Sequence, residues 1–496
     1  MAVKRAPKAA SGSARGAALE ALLRLGSEGP FLRDVLHDVF ERSDLPLRDR
    51  ALATQLASGA VRHRRTLRLV ISRVRGPGRR ATPRRSHLPV ISNRAPPGRS
   101  RASAIQPELL AILELGAFQL LFLDRVPAYA AVNEAAEAAR RTAPTANAAR
   151  KAAGFVNGVL RGIGRIVIGH DPGGAISPSA LPHPDGGVVR LREPVLPGPE
   201  ADRAAFLGEA YSYPDWLVAR WVDHFGGAAE AICRWGNRRP HVIARANPMK
   251  TTAEDLAARL AEESVEVAPG SARAKPGPRP GTLDLESLDP ERLTRLIGEG
   301  LLTVQDPSAM EAVEVLSPKA GETVLDLCAS PGTKTTQIVE AMGDSGRVLA
   351  CDRSLEKLQT IRRLVEERGI RSVETCLSIE ADTRAPEGGF SAALVDAPCS
   401  NTGVLARRVE ARWRVWPEHL TELAALGLGL LSQAAALVRP GGRAVYSTCS
   451  LEPEENEGVV RAFLGRHGGW RLQEQRQVLP GPDHDGAFAA LLIRRG

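Results

Sequence analysis

The sequence predicts a multidomain protein: an all-α helical bundle, a small α+β module, and a C-terminal α/β domain on a Rossmann-like sheet. Three observations predict it. At 496 residues the chain is too long for one ordinary domain. Residues 1–166 carry apolar residues at helical spacing, apart from one break. Residues 303–496 alternate short apolar runs with helical patterns, as a mostly parallel sheet with crossover helices requires.

In the first part, Ala18, Leu19, Leu22 and Leu23 form one apolar face, and Leu32, Val35, Leu36, Val39 and Phe40 a second. Leu52, Leu56, Val61, Leu67, Val70, Ile71 and Val74 continue the pattern to about Arg75. Residues 76–103 break it with Gly, Pro, Ser and Arg, and read as a flexible insertion. From Val61 to Arg101 there are thirteen Arg and no acidic residue, which suits a contact surface for RNA phosphates. Helical spacing resumes at Ile105–Leu123, Ala128–Arg141 and Ala149–Leu160.

Residues 167–206 are rich in Gly and Pro and read as a linker. Residues 207–302 read as the small α+β module. Tyr213-Pro-Asp-Trp opens a helix, with Pro214 in the first turn. His241–Asn247 reads as a strand, Thr252–Leu260 as a helix, and Val265–Val267 as a further strand. Trp216, Trp221 and Trp235 read as core.

The α/β domain opens with a helix at Pro307–Leu316. Its first strand ends in Val324-Leu-Asp-Leu-Cys-Ala-Ser-Pro-Gly-Thr-Lys334, where Pro331 and Gly332 break the run before a helix. Arg347–Asp352, Val373–Leu377, Ser391–Asp396 and Gly442–Cys449 supply four more strands.

Six cysteines lack zinc-like spacing, and a chain of this size needs no disulfide staples, so reduced thiols and no metal are expected. Cys233, Cys328, Cys351 and Cys376 read as small buried residues. No apolar run reaches the roughly 18 residues of a membrane span, and the basic N-terminus precedes no apolar signal core. The reading is a soluble cytoplasmic protein with no membrane partner. The net charge of +9 suits a polyanionic partner.

Asp352, Asp382 and Asp396 stand at or just past successive strand ends. Asp352, one βα unit past the Gly-bearing loop, suits the hydroxyls of a ribose. Asp382 could meet the exocyclic amine of an adenine. Neither a Gly-x-Gly-x-x-Gly fingerprint nor a phosphate-cradling Gly-x-x-x-x-Gly-Lys motif occurs, so an adenosyl cofactor without pyrophosphate fits better than NAD or ATP. Cys399, in Asp396-Ala-Pro-Cys-Ser-Asn-Thr-Gly403, and Cys449, in Tyr446-Ser-Thr-Cys-Ser-Leu-Glu-Pro-Glu-Glu-Asn456, follow the fourth and fifth strands. Both thiols belong at the cofactor edge of the sheet. An ionised thiol is a suitable nucleophile for an electron-poor pyrimidine.

Four phrases carry a family resemblance: Asp326-Leu-Cys-Ala-Ser-Pro-Gly-Thr-Lys-Thr, Asp396-Ala-Pro-Cys-Ser-Asn-Thr-Gly-Val-Leu, Arg412-Trp-Arg and Ser447-Thr-Cys-Ser-Leu-Glu-Pro-Glu-Glu-Asn-Glu457. With them the chain resembles the RNA cytosine-C5 methyltransferases of the Nop/Sun family. Ala128-Tyr-Ala-Ala-Val-Asn-Glu-Ala and Gly154-Phe-Val-Asn-Gly-Val-Leu-Arg resemble the NusB-type RNA-binding bundle. That fusion is typical of small-subunit rRNA enzymes of the RsmB/Sun type.

The resemblance implies a monomeric enzyme that uses S-adenosylmethionine to make 5-methylcytosine in small-subunit rRNA. Cys328, Ala329, Ser330, Pro331, Gly332, Thr333 and Lys334 would hold the cofactor, with Asp352 at the ribose, Asp382 at the adenine and Asp396 in the inner pocket. Cys449 would add to C6 of the cytosine, Asp396 with Lys334 would hold the base, and Cys399 would assist release. Thr333, Ser330, Asn401 and Ser391 depart from the family's usual Gly, Ala, Gly and Asp. Those at Thr333 and Asn401 motivate the rival expectation of a non-catalytic RNA-binding assembly factor. The same chemistry on tRNA is a further alternative.

Overall fold

The computed structural model describes residues 12–26, 29–76, 105–267, 275–285 and 288–496. The expected insertion at 76–103 lies outside them except for Gly76. The chain divides into two compact units, Met1–Arg239 with Arg407–Arg414, and Pro240–Ala406 with Val415–Gly496.

The first unit begins with helices α1 (Ala14–Arg24), α2 (Leu32–Glu41), α3 (Leu47–Arg62) and α4 (Arg64–Val74), followed by α5 (Pro107–Phe122), α6 (Ala128–Arg141) and α7 (Ala146–Ile166). The Ser13 and Thr145 side chains accept from backbone N–H groups in the first turns of α1 and α7. Leu56, Leu67, Ile71, Ile112 and Leu113 are fully buried, as the helical spacing requires.

The span read as a linker is structured. It holds a three-stranded antiparallel sheet of β1 (Val167–Asp171), β2 (Ala180–Pro182) and β3 (Val188–Leu191), in the order β1-β3-β2. Short strands between Gly- and Pro-rich turns leave little periodicity to read. Next come α8 (Arg203–Tyr211), α9 (Asp215–Phe225) and α10 (Ala229–Trp235). These helices group with the first unit, although the sequence placed residues 207–302 in one module. Trp221 is buried, while Trp216 and Trp235 are half-buried.

The start of the Arg-rich stretch, the part within the described residues, holds arginines turned inward rather than toward a phosphate surface. Arg62, Arg64 and Arg65 are buried. Arg65 pairs with Glu209 at 2.9 Å and Asp215 at 2.7 Å, and Arg64 and Arg68 meet Glu114 at 3.7 and 2.5 Å. Carboxylates distant in sequence turn these cations into internal ties.

The second unit opens with β4 (Ile243–Ala246), α11 (Ala253–Val267), β5 (Lys275–Pro276), β6 (Thr282–Asp284), α12 (Pro290–Gly298) and β7 (Leu302–Val304). Its sheet is antiparallel, in the order β5-β6-β4-β7. The strand expected at Val265–Val267 is the last turn of α11, where the helix overrides β-branched preference.

After α13 (Pro307–Leu316), the large sheet is built from β8 (Thr323–Asp326), α14 (Thr333–Met342), β9 (Arg347–Asp352), α15 (Leu355–Arg368), β10 (Val373–Leu377), β11 (Phe390–Asp396), α16 (Pro417–Leu437), β12 (Val438–Thr448), α17 (Glu457–Arg466), β13 (Trp470–Val478) and β14 (Ala487–Arg494). The order is β10-β9-β8-β11-β12-β14-β13, with β14 antiparallel to both neighbours. The connections diverge between β8 and β11, the switch point where α/β sheets open a crevice beyond the strand ends. Helix α16 is long and apolar enough by length and composition to cross a membrane, although polar residues interrupt its apolar runs. It lies on the sheet and buries Leu420, Leu428, Leu431, Ala434 and Ala435.

Candidate active site

The register of the parallel strands gathers the site. Leu394 of β11 is opposite Asp326 of β8, Asp396 opposite Ser447 of β12, and Asp326 opposite Ala350 of β9. The chains beyond β8, β11 and β12 therefore leave the sheet at one edge.

At the switch point, Lys334 Nζ donates to Asp396 Oδ2 at 2.7 Å, and Ser447 Oγ donates to Asp396 Oδ1 at 2.8 Å. Burial pulls the lysine down, but the Asp396 carboxylate outweighs it and holds the ammonium above its ordinary range. A negative charge at Asp326 acts in the same direction.

Asp326 is a participant that the sequence reading passed over as part of an apolar strand. It is fully buried, and Thr335 Oγ1 donates to its Oδ2 at 2.7 Å. Its Oδ1 has no hydrogen-bond partner among the described residues. Burial pushes its carboxyl up to about 7. The Asp396 and Asp352 charges add to that rise, while the Thr335 bond and Lys334 oppose it.

The loop after β8 is shaped by its glycine. Gly332 has φ +105°, and a Cβ there would lie 2.9 Å from Leu364 Cδ2. The left-handed position is thus Gly332, while Thr333 begins α14 and accepts from Thr336 Oγ1 with its carbonyl at 2.9 Å. A side chain at 333 therefore needs no strained backbone. Cys328, expected as a buried residue, is half-buried, and desolvation beside Asp326 pushes its thiol up to about 12. Ala329 N–H bonds the Cys351 carbonyl at 2.8 Å and Gly332 N–H the Ala329 carbonyl at 2.7 Å; Ser330 is half-buried and Pro331 exposed.

The other two carboxylates differ from each other. Asp352 is buried at the end of β9, with Ser354 N–H at 3.3 Å and Lys357 Nζ at 3.6 Å from Oδ1. Asp382 follows β10 at the same sheet edge but is exposed, and Thr383 N–H donates to its Oδ1 at 2.9 Å.

The two expected thiols meet. Cys399 Sγ lies 3.2 Å from Cys449 Sγ, although 50 residues separate them. Cys399 is held well above the ordinary thiol range, first by its hydrogen bond with Cys449 and then by burial. All six cysteines are free. Cys233, Cys351 and Cys376 are buried as expected.

Beneath the thiols a polar network locks the two loops. Buried Glu455 accepts from Ser400 N–H at 2.8 Å and from the Ser400 and Ser450 hydroxyls. Leu451 N–H donates to Thr402 Oγ1 at 2.9 Å, and Gly403 N–H to the Cys449 carbonyl at 2.9 Å. A Cβ on Gly403 would lie 2.7 Å from the Cys449 and Gly486 carbonyl oxygens, so only glycine allows this approach. Asn456 accepts from Thr448 Oγ1 at 2.6 Å and donates to the Ser450 carbonyl at 3.0 Å.

In the first unit, Asp124, His170 and His183 bring one metal-ligand atom each within 4.8 Å of one another. His183 Nδ1 accepts Asp185 N–H at 3.2 Å, so in the neutral ring Nε2 carries the proton. That tautomer does not offer its Nε2 lone pair to a cation.

Numbered from β8, the strand order is 3-2-1-4-5-7-6, and Asp326, Asp352 and Asp396 end the strands on either side of its switch point. This defines a methyltransferase of the Rossmann-like class. The comparisons make the class specific. The 16S rRNA methyltransferase RsmB/F family matches residues 313–492, the NusB family residues 99–165, and the ferredoxin-like domain of RsmF/B-like methyltransferases residues 213–275. A probable ribosomal RNA small subunit methyltransferase B of Synechocystis sp. is 33% identical over 86% of this chain and 83% of its own length. A relative of the same description from Bacillus subtilis is 30% identical over 92% of this chain and 89% of its own. Among solved structures, PH0851 aligns with a TM-score of 0.68 at 23% identity, over 96% of this chain and 98% of that one. A methyltransferase homolog protein from Pyrococcus horikoshii aligns at 0.52 and 24% identity, over 59% and 99%. The chain belongs to the RsmB/F family of rRNA methyltransferases and is an RNA methyltransferase.

Proposed function

We propose that the chain is an S-adenosylmethionine-dependent 16S rRNA cytosine-C5 methyltransferase that works through a covalent cysteine–cytosine adduct. The observation that carries this reading is the thiol pair: Cys449 Sγ and Cys399 Sγ 3.2 Å apart, beside the Lys334–Asp396 pair.

The pocket fits the cofactor. A buried Asp326 oxygen without a partner, with Asp352 and Asp396 nearby, suits a ligand carrying a sulfonium and an ammonium. Residues Cys328–Lys334 with Asp352, Asp382 and Asp396 would hold it, and when bound it supplies an electrophilic methyl group.

The remaining chemistry belongs to the side chains. Cytosine C5 is a poor nucleophile until C6 carries an added group. The resemblance of Thr448-Cys449-Ser450 to the family's Thr-Cys-Ser phrase assigns the addition to Cys449. Its sulfur bonds to C6 and makes C5 nucleophilic. Asp396, fixed by Lys334 and Ser447, holds the base at N3 and its amine. Loss of the C5 proton then breaks the C6–S bond, and Cys399 assists that release. The target base must leave its stack, so a single-stranded or loop region of RNA is required.

Two variants test the roles. Cys449→Ala is expected to lose methyl transfer. Cys399→Ala is expected to accumulate a covalent RNA adduct, seen as a shifted band on a denaturing gel. Normal 5-methylcytosine formation by Cys449→Ala would sink the proposal. Mapping 5-methylcytosine in rRNA and tRNA of a deletion strain identifies the substrate.

A further inference from the structure

Asn401 follows the Pro-Cys-Ser run of the first thiol loop. Its φ is +63°, in the left-handed region that Asn tolerates better than most side chains. Its Nδ2 donates to the Cys399 carbonyl at 2.8 Å. A carbonyl only accepts, so the amide nitrogen must face it, and this fixes the other end of the amide. That end, Oδ1, lies 3.4 Å from Cys449 Sγ and accepts its S–H.

We propose that Asn401 is a positioning residue for Cys449: its amide oxygen docks the S–H and holds the sulfur aimed until the target base is seated. This rests on the reading of Cys449 as nucleophile. The left-handed backbone is what makes the contact possible, because it curls the side chain back over Cys399 and toward the second thiol loop. A glycine would satisfy the same backbone and leave Cys449 without this acceptor.

The docking has a direction. An acceptor on the S–H side favours the protonated thiol and slows loss of the proton. The other groups around Cys449 act separately. Cys399 Sγ lies 3.2 Å away, and the Lys334 ammonium on α14 acts on Cys449 through its charge. Asp396 is paired with that lysine, and Glu455 acts on Cys399 from beneath the loops. Asn401 therefore opposes Lys334: the amide retains the proton, and the ammonium favours its loss. Seating of a base that displaces the amide would leave only the second influence.

The test is the rate of Cys449 carboxamidomethylation by iodoacetamide against pH, on the full chain without RNA or cofactor, with the modified cysteine identified by mass spectrometry. Asn401→Gly suits the backbone and is expected to raise the rate at neutral pH by about three- to tenfold, the scale of one hydrogen bond, and to move the profile to lower pH. Asn401→Asp is expected to move it to higher pH, because a carboxylate beside the sulfur opposes a second negative charge. Coincident Cys449 profiles for the parent and a normally melting Asn401→Gly overturn the inference. Because the assay needs no methyl transfer, failure of the catalytic reading shows separately, as methylation by Cys449→Ala.

Discussion

Lys334 Nζ lies 2.7 Å from Asp396 Oδ2, joining the first turn of α14 to the end of β11 across the switch point of the sheet. The lysine side chain is mostly buried and the aspartate about a third exposed, so the pair lies between a surface contact and a core one. Removing one partner strands the other charge beside Asp326 and the thiols.

Lys334→Met is expected to cost about 1–3 kcal/mol of stability, less than a fully buried pair because Asp396 reaches solvent. Adding Asp396→Asn to it should recover part of that loss. Denaturant midpoints of the four forms in a double-mutant cycle measure the coupling. Strict additivity would mean that the contact contributes nothing.

Asp326 makes stability depend on pH in a particular direction. Its carboxyl is near 7 in the folded chain against an ordinary 3.8. Between those values the folded state keeps a proton that the unfolded chain has lost. The contribution is therefore fully present below about pH 4 and lost as pH rises through 7, with a span on the order of 4 kcal/mol. Asp326→Asn retains an acceptor for Thr335 and has no charge to bury. It should be more stable than the parent above pH 7, with the difference shrinking toward pH 4.5. Urea midpoints of both proteins across that range check the sign.

Glu455 is the base of both thiol loops. Its alanine variant leaves Ser400 N–H and two serine hydroxyls without their acceptor in a dry interior, at an expected cost of about 2–4 kcal/mol. Glu455→Gln keeps one oxygen for Ser400 N–H and should cost roughly half as much, since the hydroxyls can rotate toward or away from the amide. If the network aims the thiols, Glu455→Ala should also slow formation of a Cys399–Cys449 crosslink by a short bifunctional thiol reagent. Equal crosslinking rates would limit Glu455 to a purely structural role.

The sequence told most where a local pattern decides the outcome. Alternating apolar runs gave the parallel strands, and strand ends gave Asp352, Asp396, Cys399 and Cys449 a common edge, because parallel register brings their loops together. It told least where a distant partner decides. Asp326 looks like any residue of a buried strand until Thr335 and the neighbouring carboxylates are placed around it. Arg64 and Arg65 look like a phosphate surface until Glu114, Glu209 and Asp215 are brought to them. Asn401 was legible as a departure from a family pattern, but its contact with Cys449 spans 48 residues. Residues 167–206 hid a sheet because its strands are too short for two-fold periodicity to show.

Arg412 gives the prediction most remote from the thiols. It lies in the short span Arg407–Arg414 that belongs to the first unit, and it is fully buried. Its guanidinium sits 4.2 Å from the Tyr213 ring centroid. Nη1 donates to Asn237 Oδ1 at 2.6 Å, and Nη2 donates to the Gly236 carbonyl at 3.0 Å. The carbonyls of Arg62 and Ser212 lie 3.4 Å from Nη1. No other side chain combines a planar cation for the ring with a fork for several acceptors. Arg412→Lys should therefore fail to rescue, because a point charge cannot satisfy the fork. Arg412→Ala should cost about 3 kcal/mol through the unpaired acceptors and the cavity over Tyr213. The loss should appear first as faster amide exchange in α9 and α10, which flank Tyr213 and Asn237, before the large sheet is affected. Exchange that rises equally in β8 and β11 would show that Arg412 stabilises the whole chain rather than its own unit.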